Sequence, residues 1–340
     1  HLIRLPVYMT ETMSRMRQTS KEIFQATGRK PSMLEVAENL LNPAHTVLGA
    51  LGVVVLARFH GGSRVASLLS GFFYLFNGFV WNIQIEARPI IIALAYVPFV
   101  LLLAGMLERG GYGRAALTVA LSLCFTLQLL GGQQQIVAFT VLFAALSVGV
   151  GGLGSDVRAQ AGRLLCLVVA VLLAFGLAAV VYAPVFAGLA GSSRLFLGSY
   201  ATLTDASLEP YRLVSAAFQS LGTHAYVGPT ALLLLLAAAQ SPEFRRLRVV
   251  RTHLLCALVA AVLALGGHTP VYWLVHQVAP VVQVFRSPYR IVAFTMVFLA
   301  VPLALAIDAL LRGDPTHNAA RLRRAALGVV AAWPVLFVLT

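Results

Sequence analysis

Arg286 and Arg290 flank a proline in the stretch Arg286-Ser287-Pro288-Tyr289-Arg290, just before a long apolar run. Two guanidinium groups held by a rigid proline suit the oxygens of a phosphate or pyrophosphate, which they can grip bidentately. The N-terminus of the helix that the apolar run predicts would add its own attraction for an anion. The same residues could equally serve as structural anchors at an interface, binding lipid headgroups. Other polar groups gather in a few neighbouring stretches. One stretch, about 191–225, carries Arg194, Tyr200, Asp205, Glu209, Arg212 and His224; another, about 268–289, carries His268, Tyr272, Trp273 and His276. Two short turns add Glu86 with Arg88, and Gln133-Gln134-Gln135. Tyr272 and Trp273 read first as an aromatic belt, since such rings favour the membrane–water interface.

The elements that must position these groups are greasy. Of 340 residues, 59% are hydrophobic and 11% charged, against roughly a quarter charged in soluble domains. A mean hydropathy of +0.85 excludes an ordinary soluble surface and suits one that faces lipid. Cys124, Cys166 and Cys256 all lie inside apolar runs and read as packed thiols, with no disulfide framework or metal site. No cleavable signal peptide is visible, and the chain, from His1 to Thr340 within an apolar run, reads as a fragment.

A spanning helix needs about 20 apolar residues. On that criterion spans are predicted at about 44–58, 65–83, 89–107, 115–130, 135–153, 164–190, 226–239, 253–267, 290–311 and 325–340. The fold class is therefore all-α, a polytopic transmembrane helical bundle of about nine or ten spans. If the loops alternate sides, fourteen arginines after residue 41 fall on one side and five, Arg88, Arg194, Arg212, Arg286 and Arg290, on the other. The formal net charge of +13 is thus a matter of sidedness, and the arginine-rich side is predicted to be cytoplasmic. The polar stretches that could do chemistry share the outer side. Asp308, near the inner end of its helix, reads as a capping or snorkelling residue.

The first 41 residues differ in kind and read as a separate segment from the membrane domain at 42–340. They hold both lysines, Lys21 and Lys30, and four of six methionines. Thr10 can cap a helix that stops at Gly28, and Ser32 with Glu35 forms a capping box for a second, through Leu40. Arg4-Leu5-Pro6-Val7 and Gly28-Arg29-Lys30-Pro31 before the capped helix resemble the start of region 3 in the sigma-70 family. The resemblance implies a short soluble helix-turn-helix segment contacting promoter DNA through Tyr8 and Glu11, with RNA polymerase as partner. On the predicted topology residues 1–43 lie outside the cell, where there is no promoter. Either the first span does not cross, or the segment does not act as a sigma factor.

A second resemblance covers roughly 43–315. "SGFFYLFNGFVWNIQIEARPIIIALAYVPFVLLLAGMLERG", "LQLLGGQQQIVAF", "YAPVFAGLAGSSR", "YVGPTALLLLLAAA" and "GGHTPVYWLVHQVAPVVQVFRSPYRIVAF" are similar, in order and spacing, to the YfhO family of bacterial membrane proteins. It implies a GT-C-like glycosyltransferase of the bacterial inner (cytoplasmic) membrane that modifies cell-envelope glycopolymers at the outer face. The donor would be a polyprenyl-phosphate-linked sugar, with no further cofactor and no metal. The family's Arg-x-Pro-x-Arg stretch falls on Arg286 and Arg290, which become donor-phosphate candidates beside Arg88, Glu86, Arg194 and His268. Relatives often carry Gly-His-Pro-Gln where this chain has Gln133–Gln135, and His where it has Glu86-Ala87-Arg88. The family's first span and its acidic catalytic loop have no counterpart here, so lipid-phosphate binding is expected in preference to turnover. Two other classes compete: a non-catalytic envelope-glycan transporter or scaffold, and a sigma region 3 fragment joined by fusion or assembly artefact.

Overall fold

The computed structural model describes residues 33–85, 90–189, 200–214, 225–278, 285 and 287–312, with isolated positions 20, 21, 24, 25 and 28. The predicted span at 325–340 and nearly all of the sigma-like segment, with Tyr8 and Glu11, lie outside the described residues.

Among the described residues the chain is helical throughout, and glycine, proline and capping side chains set the breaks. The elements run α1 (Met33–Phe59), α2 (Arg64–Leu75), α3 (Gly78–Ile85), α4 (Ile90–Ala95), α5 (Val97–Arg109), α6 (Arg114–Leu130), α7 (Gln134–Gly151) and α8 (Val157–Leu189). After two short helices, α9 (Tyr200–Thr204) and α10 (Pro210–Val214), come α11 (Pro229–Ala238), α12 (Pro242–Arg246) and α13 (Arg248–Ala264). A 3-10 turn (Gly266–His268), α14 (Pro270–Val278), a second 3-10 turn (Pro288–Ile291) and α15 (Val292–Arg312) complete the order.

Four stretches are long and apolar enough to cross a membrane: Ile90–Arg109, Gln134–Gly151, Val157–Pro184 and Pro288–Leu311. Pro43–Phe59, Arg64–Leu75, Arg114–Leu130 and Pro229–Ala238 are apolar but shorter. Burial ranks the long ones: the most apolar part of Pro288–Leu311 is 89% buried, that of Val157–Pro184 only 22%. α15 is therefore the central post and α8 the peripheral helix with its apolar flank uncovered. Aromatic packing fixes the post: Phe294 and Phe298 of α15 meet Phe143 of α7 at centroid distances of 5.0 and 5.4 Å. Polar side chains bond helix to helix inside the bundle, where no water competes. Gln128, fully buried, donates to the Ala93 carbonyl at 2.9 Å and to Thr140 Oγ1 at 3.2 Å. The Ser70 hydroxyl donates to the Ala300 carbonyl at 2.6 Å.

The predicted span at 65–83 is two helices. Asn77 breaks it by capping: its Oδ1 accepts from the Val80 amide at 3.0 Å and its Nδ2 donates to the Tyr74 carbonyl at 2.5 Å. At the front, α1 runs without a break from Met33 through Pro43 to Phe59, where the sequence predicted a helix ending at Leu40.

The helix ends sort the charges. Arg109 donates to the Phe59 carbonyl at 3.1 Å, Arg248 to the Leu153 carbonyl at 2.8 Å, and the Ser63 amide to Asp308 at 2.5 Å. These bonds bring the chain around 58–64, 108–114, 149–163, 244–253 and 305–312 to one end of the bundle. Eleven of the thirteen described arginines lie there; Arg212 and Arg290 lie at the other. Asp308 does cap, but across the bundle: it accepts the amide of Ser63, the N-cap of α2. The cysteines are all free, Cys256 buried and the other two half-buried.

Candidate functional site at the arginine-poor end

At the arginine-poor end, α7 begins directly after a turn that Gly132 makes with a positive φ of 77°. This start aims the glutamines of its first turn at the segment before α15. Gln135, 5% exposed, donates through Nε2 to the Ser287 carbonyl at 3.3 Å, while its Oε1 accepts from Nη1 of Arg290 at 3.3 Å. Its neighbour Gln134 donates to the Tyr182 hydroxyl at 3.3 Å, and that hydroxyl donates to the Leu129 carbonyl at 2.6 Å. One amide side chain thus holds both the backbone and the guanidinium of the Ser287–Arg290 segment, across 155 residues of sequence.

Ser287 has φ 63° and ψ 68°, the one positive φ outside glycine among the described residues. A left-handed conformation at a non-glycine residue costs about 1–3 kcal/mol and persists only where the surroundings impose it. Here Pro288 follows, and Gln135 holds the Ser287 carbonyl. The Tyr289 amide donates to the Ala206 carbonyl at 3.3 Å, tying this segment to the one after α9. Pro288 also packs against Gly266, whose positive φ of 50° turns the chain between α13 and α14.

Arg290 is half-buried, its guanidinium carbon 5.9 Å from the centre of the Tyr289 ring. Its Nε is buried and has no hydrogen-bond partner, and it makes no ion pair among the described residues. A guanidinium N–H buried without an acceptor leaves a donor for an anionic oxygen to fill. His268 lies at the same end and is exposed. Glu86, Arg88, Arg194 and Arg286 lie outside the described residues, as does His224.

Glu209 is already engaged. It pairs with Arg212 at 2.9 Å, and hydrogen bonds from Tyr211 and then Arg212 hold its carboxyl below the usual range. A carboxylate so paired is a weaker base than a free one. Tyr272 corrects the belt reading. It is 1% exposed and packed in the core, whereas Trp273 beside it is 51% exposed as a belt residue would be. Adjacent positions on a helix point about 100° apart, so one of the two could face in while the other faces out.

The sequence singled out Arg290 and, separately, the glutamine turn; the fold brings them together. No family model matches the chain, and no curated protein or solved structure matches it either.

Proposed function

We propose that residues 42–340 form a multi-pass membrane domain of the bacterial inner membrane, with residues 1–41 a separate segment and the arginine-rich end cytoplasmic. At the outer, arginine-poor end it binds the phosphate of a polyprenyl-phosphate-linked sugar, as a GT-C-like glycosyltransferase acting on cell-envelope glycopolymers would. One observation carries the reading: Arg290 is oriented by Gln135 while its buried Nε has no acceptor among the described residues. A cation held in a partly desolvated place, with no carboxylate paired to it among the described residues, favours an anion brought by a ligand. The left-handed Ser287 and the Pro288 ring against Gly266 add rigidity, which lowers the ordering cost of binding. The polarity of the described arginines supports the outward orientation of this end. The resemblance to the YfhO family supplies the sugar donor and the glycopolymer acceptor.

The reading is tested with the chain in lipid nanodiscs, given a radiolabelled polyprenyl-phosphate sugar and envelope glycopolymer. Retention of the donor lipid by the protein is the expected result. Transfer of label to the polymer would add turnover; retention without transfer would favour a scaffold or carrier. A protein that holds no more donor than an empty nanodisc contradicts the proposal.

A further inference from the structure

Two phenol hydroxyls at the arginine-poor end are buried and make no hydrogen bond among the described residues. Tyr272 stands in the first turn of α14 and is 1% exposed; Tyr200 opens α9. Neither hydroxyl has a hydrogen-bond partner among the described residues. Their ring centroids lie 6.5 Å apart at 42°, and the Tyr200 ring meets His276 edge-on at 5.1 Å. Burial pushes the Tyr272 phenol up to about 12, and the nearby Tyr200 adds to the rise. Burial raises Tyr200 as well. Both are therefore neutral at physiological pH, and each can donate and accept a hydrogen bond.

Other buried hydroxyls divide: Ser70, Thr126, Thr140 and Tyr182 each donate to a backbone carbonyl, while those of Ser67 and Thr230, like the two phenols, have no partner among the described residues. Leaving two unpaired side by side is unfavourable unless something else completes them. The chemistry of what would do so is specific. A neutral pair that both donates and accepts complements another hydroxyl group, whereas an anion is better met by a cation. The cation is at the same end. The Tyr289 amide bonds the Ala206 carbonyl at 3.3 Å and the Gly267 amide bonds Ser207 Oγ at 2.9 Å, fastening the segments that carry Arg290, Tyr200 and Tyr272 together.

We infer that the hydroxyls of Tyr200 and Tyr272 form a polyol subsite that binds the sugar hydroxyls of a ligand whose phosphate is held at Arg290. The inference rests on the phosphate reading of Arg290 and assigns the residues that recognise the sugar. Tyr200 and Tyr272 then decide between a bare polyprenyl phosphate and a glycosylated one.

The test uses the full chain in nanodiscs and two sets of probes. The first is undecaprenyl phosphate with its glucosyl, galactosyl, mannosyl and N-acetylglucosaminyl forms; the second is the matching dodecyl glycosides, which carry sugar without phosphate. Wild type should prefer at least one glycosylated phosphate. Tyr200→Phe and Tyr272→Phe should each weaken that preference roughly three- to tenfold, as expected for losing one hydrogen bond to the ligand. Binding of bare undecaprenyl phosphate should not change, and neither Tm should fall, since no bond within the protein is lost. Equal affinity of wild type for bare and glycosylated phosphates, or Phe variants that keep the preference, overturns the subsite. If no undecaprenyl phosphate binds but a dodecyl glycoside does, with sensitivity to both Phe variants, the Arg290 reading fails and the tyrosine subsite stands.

Discussion

Replacing Arg290 with alanine is expected to lower the affinity for polyprenyl phosphate by roughly 10- to 100-fold, because each hydrogen bond to a charged group contributes about 1.5–3 kcal/mol. The side chain offers two things a phosphate needs. Its Nη1 is committed to Gln135 at 3.3 Å, which fixes the plane of the guanidinium, and its Nε stands buried with no acceptor among the described residues. Alanine removes the charge and both donors. Lysine keeps the charge but has no planar fork to rest on Gln135, so Arg290→Lys should recover only part of the affinity. The fold should survive either change, since Arg290 makes no ion pair among the described residues and only one weak hydrogen bond. Titration of nanodisc-embedded protein with undecaprenyl phosphate reads the effect, and a variant that binds like wild type removes Arg290 from the site.

Gly266→Val should damage both stability and binding, and more severely than any nearby exposed change. Gly266 sits at φ 50°, where a β-branched residue is strained, and a Cβ there would overlap Ser207 Oγ and lie 2.8 Å from Pro288 Cγ. Neither neighbour can easily retreat. Ser207 Oγ donates to the Thr204 carbonyl at 2.5 Å and accepts from Gly267, and Pro288 is held on the far side by the bonds of Ser287 and Tyr289. Backbone strain and overpacking together are expected to cost about 2–5 kcal/mol. The shift should travel through Pro288 to Arg290, lowering the Tm and weakening phosphate binding together. Gly176→Ala is the control: a Cβ there meets nothing within 4 Å, so neither readout should move.

Much of the bundle was legible because long apolar runs and their breaks follow from composition alone. The runs at 115–130 and 135–153 match α6 and α7 to within a residue or two, since Gly113, Gly131 and Gly152 flank them. Arginine sidedness was legible for the same reason, being a property of loops and not of contacts. Asn77 was not legible as a break. An asparagine in an apolar run looks like one tolerated polar residue until its side chain is seen capping α3. Nor could the sequence predict α1 continuing through Pro43, because a proline more often marks a helix boundary than an interior position. The site shows the same division. Arg290 stood out by type and position, but its partner Gln135 is 155 residues away, and only tertiary packing joins them. Tyr272 was misassigned because an aromatic beside a predicted interface carries no sign of which way it points. The left-handed Ser287 left no trace either, since serine is unremarkable before a proline.

The orientation of the two ends decides whether the Arg290 site can meet an externally presented lipid-linked donor. Single cysteines at Arg246 on α12 and at the exposed Gln277 on α14 report on them, in a background where Cys124, Cys166 and Cys256 are serine. In intact cells a membrane-impermeant maleimide is expected to label position 277 and to reach position 246 only after the membrane is opened. Labelling of both positions from the same side would contradict the bundle's orientation and, with it, the outward-facing phosphate site.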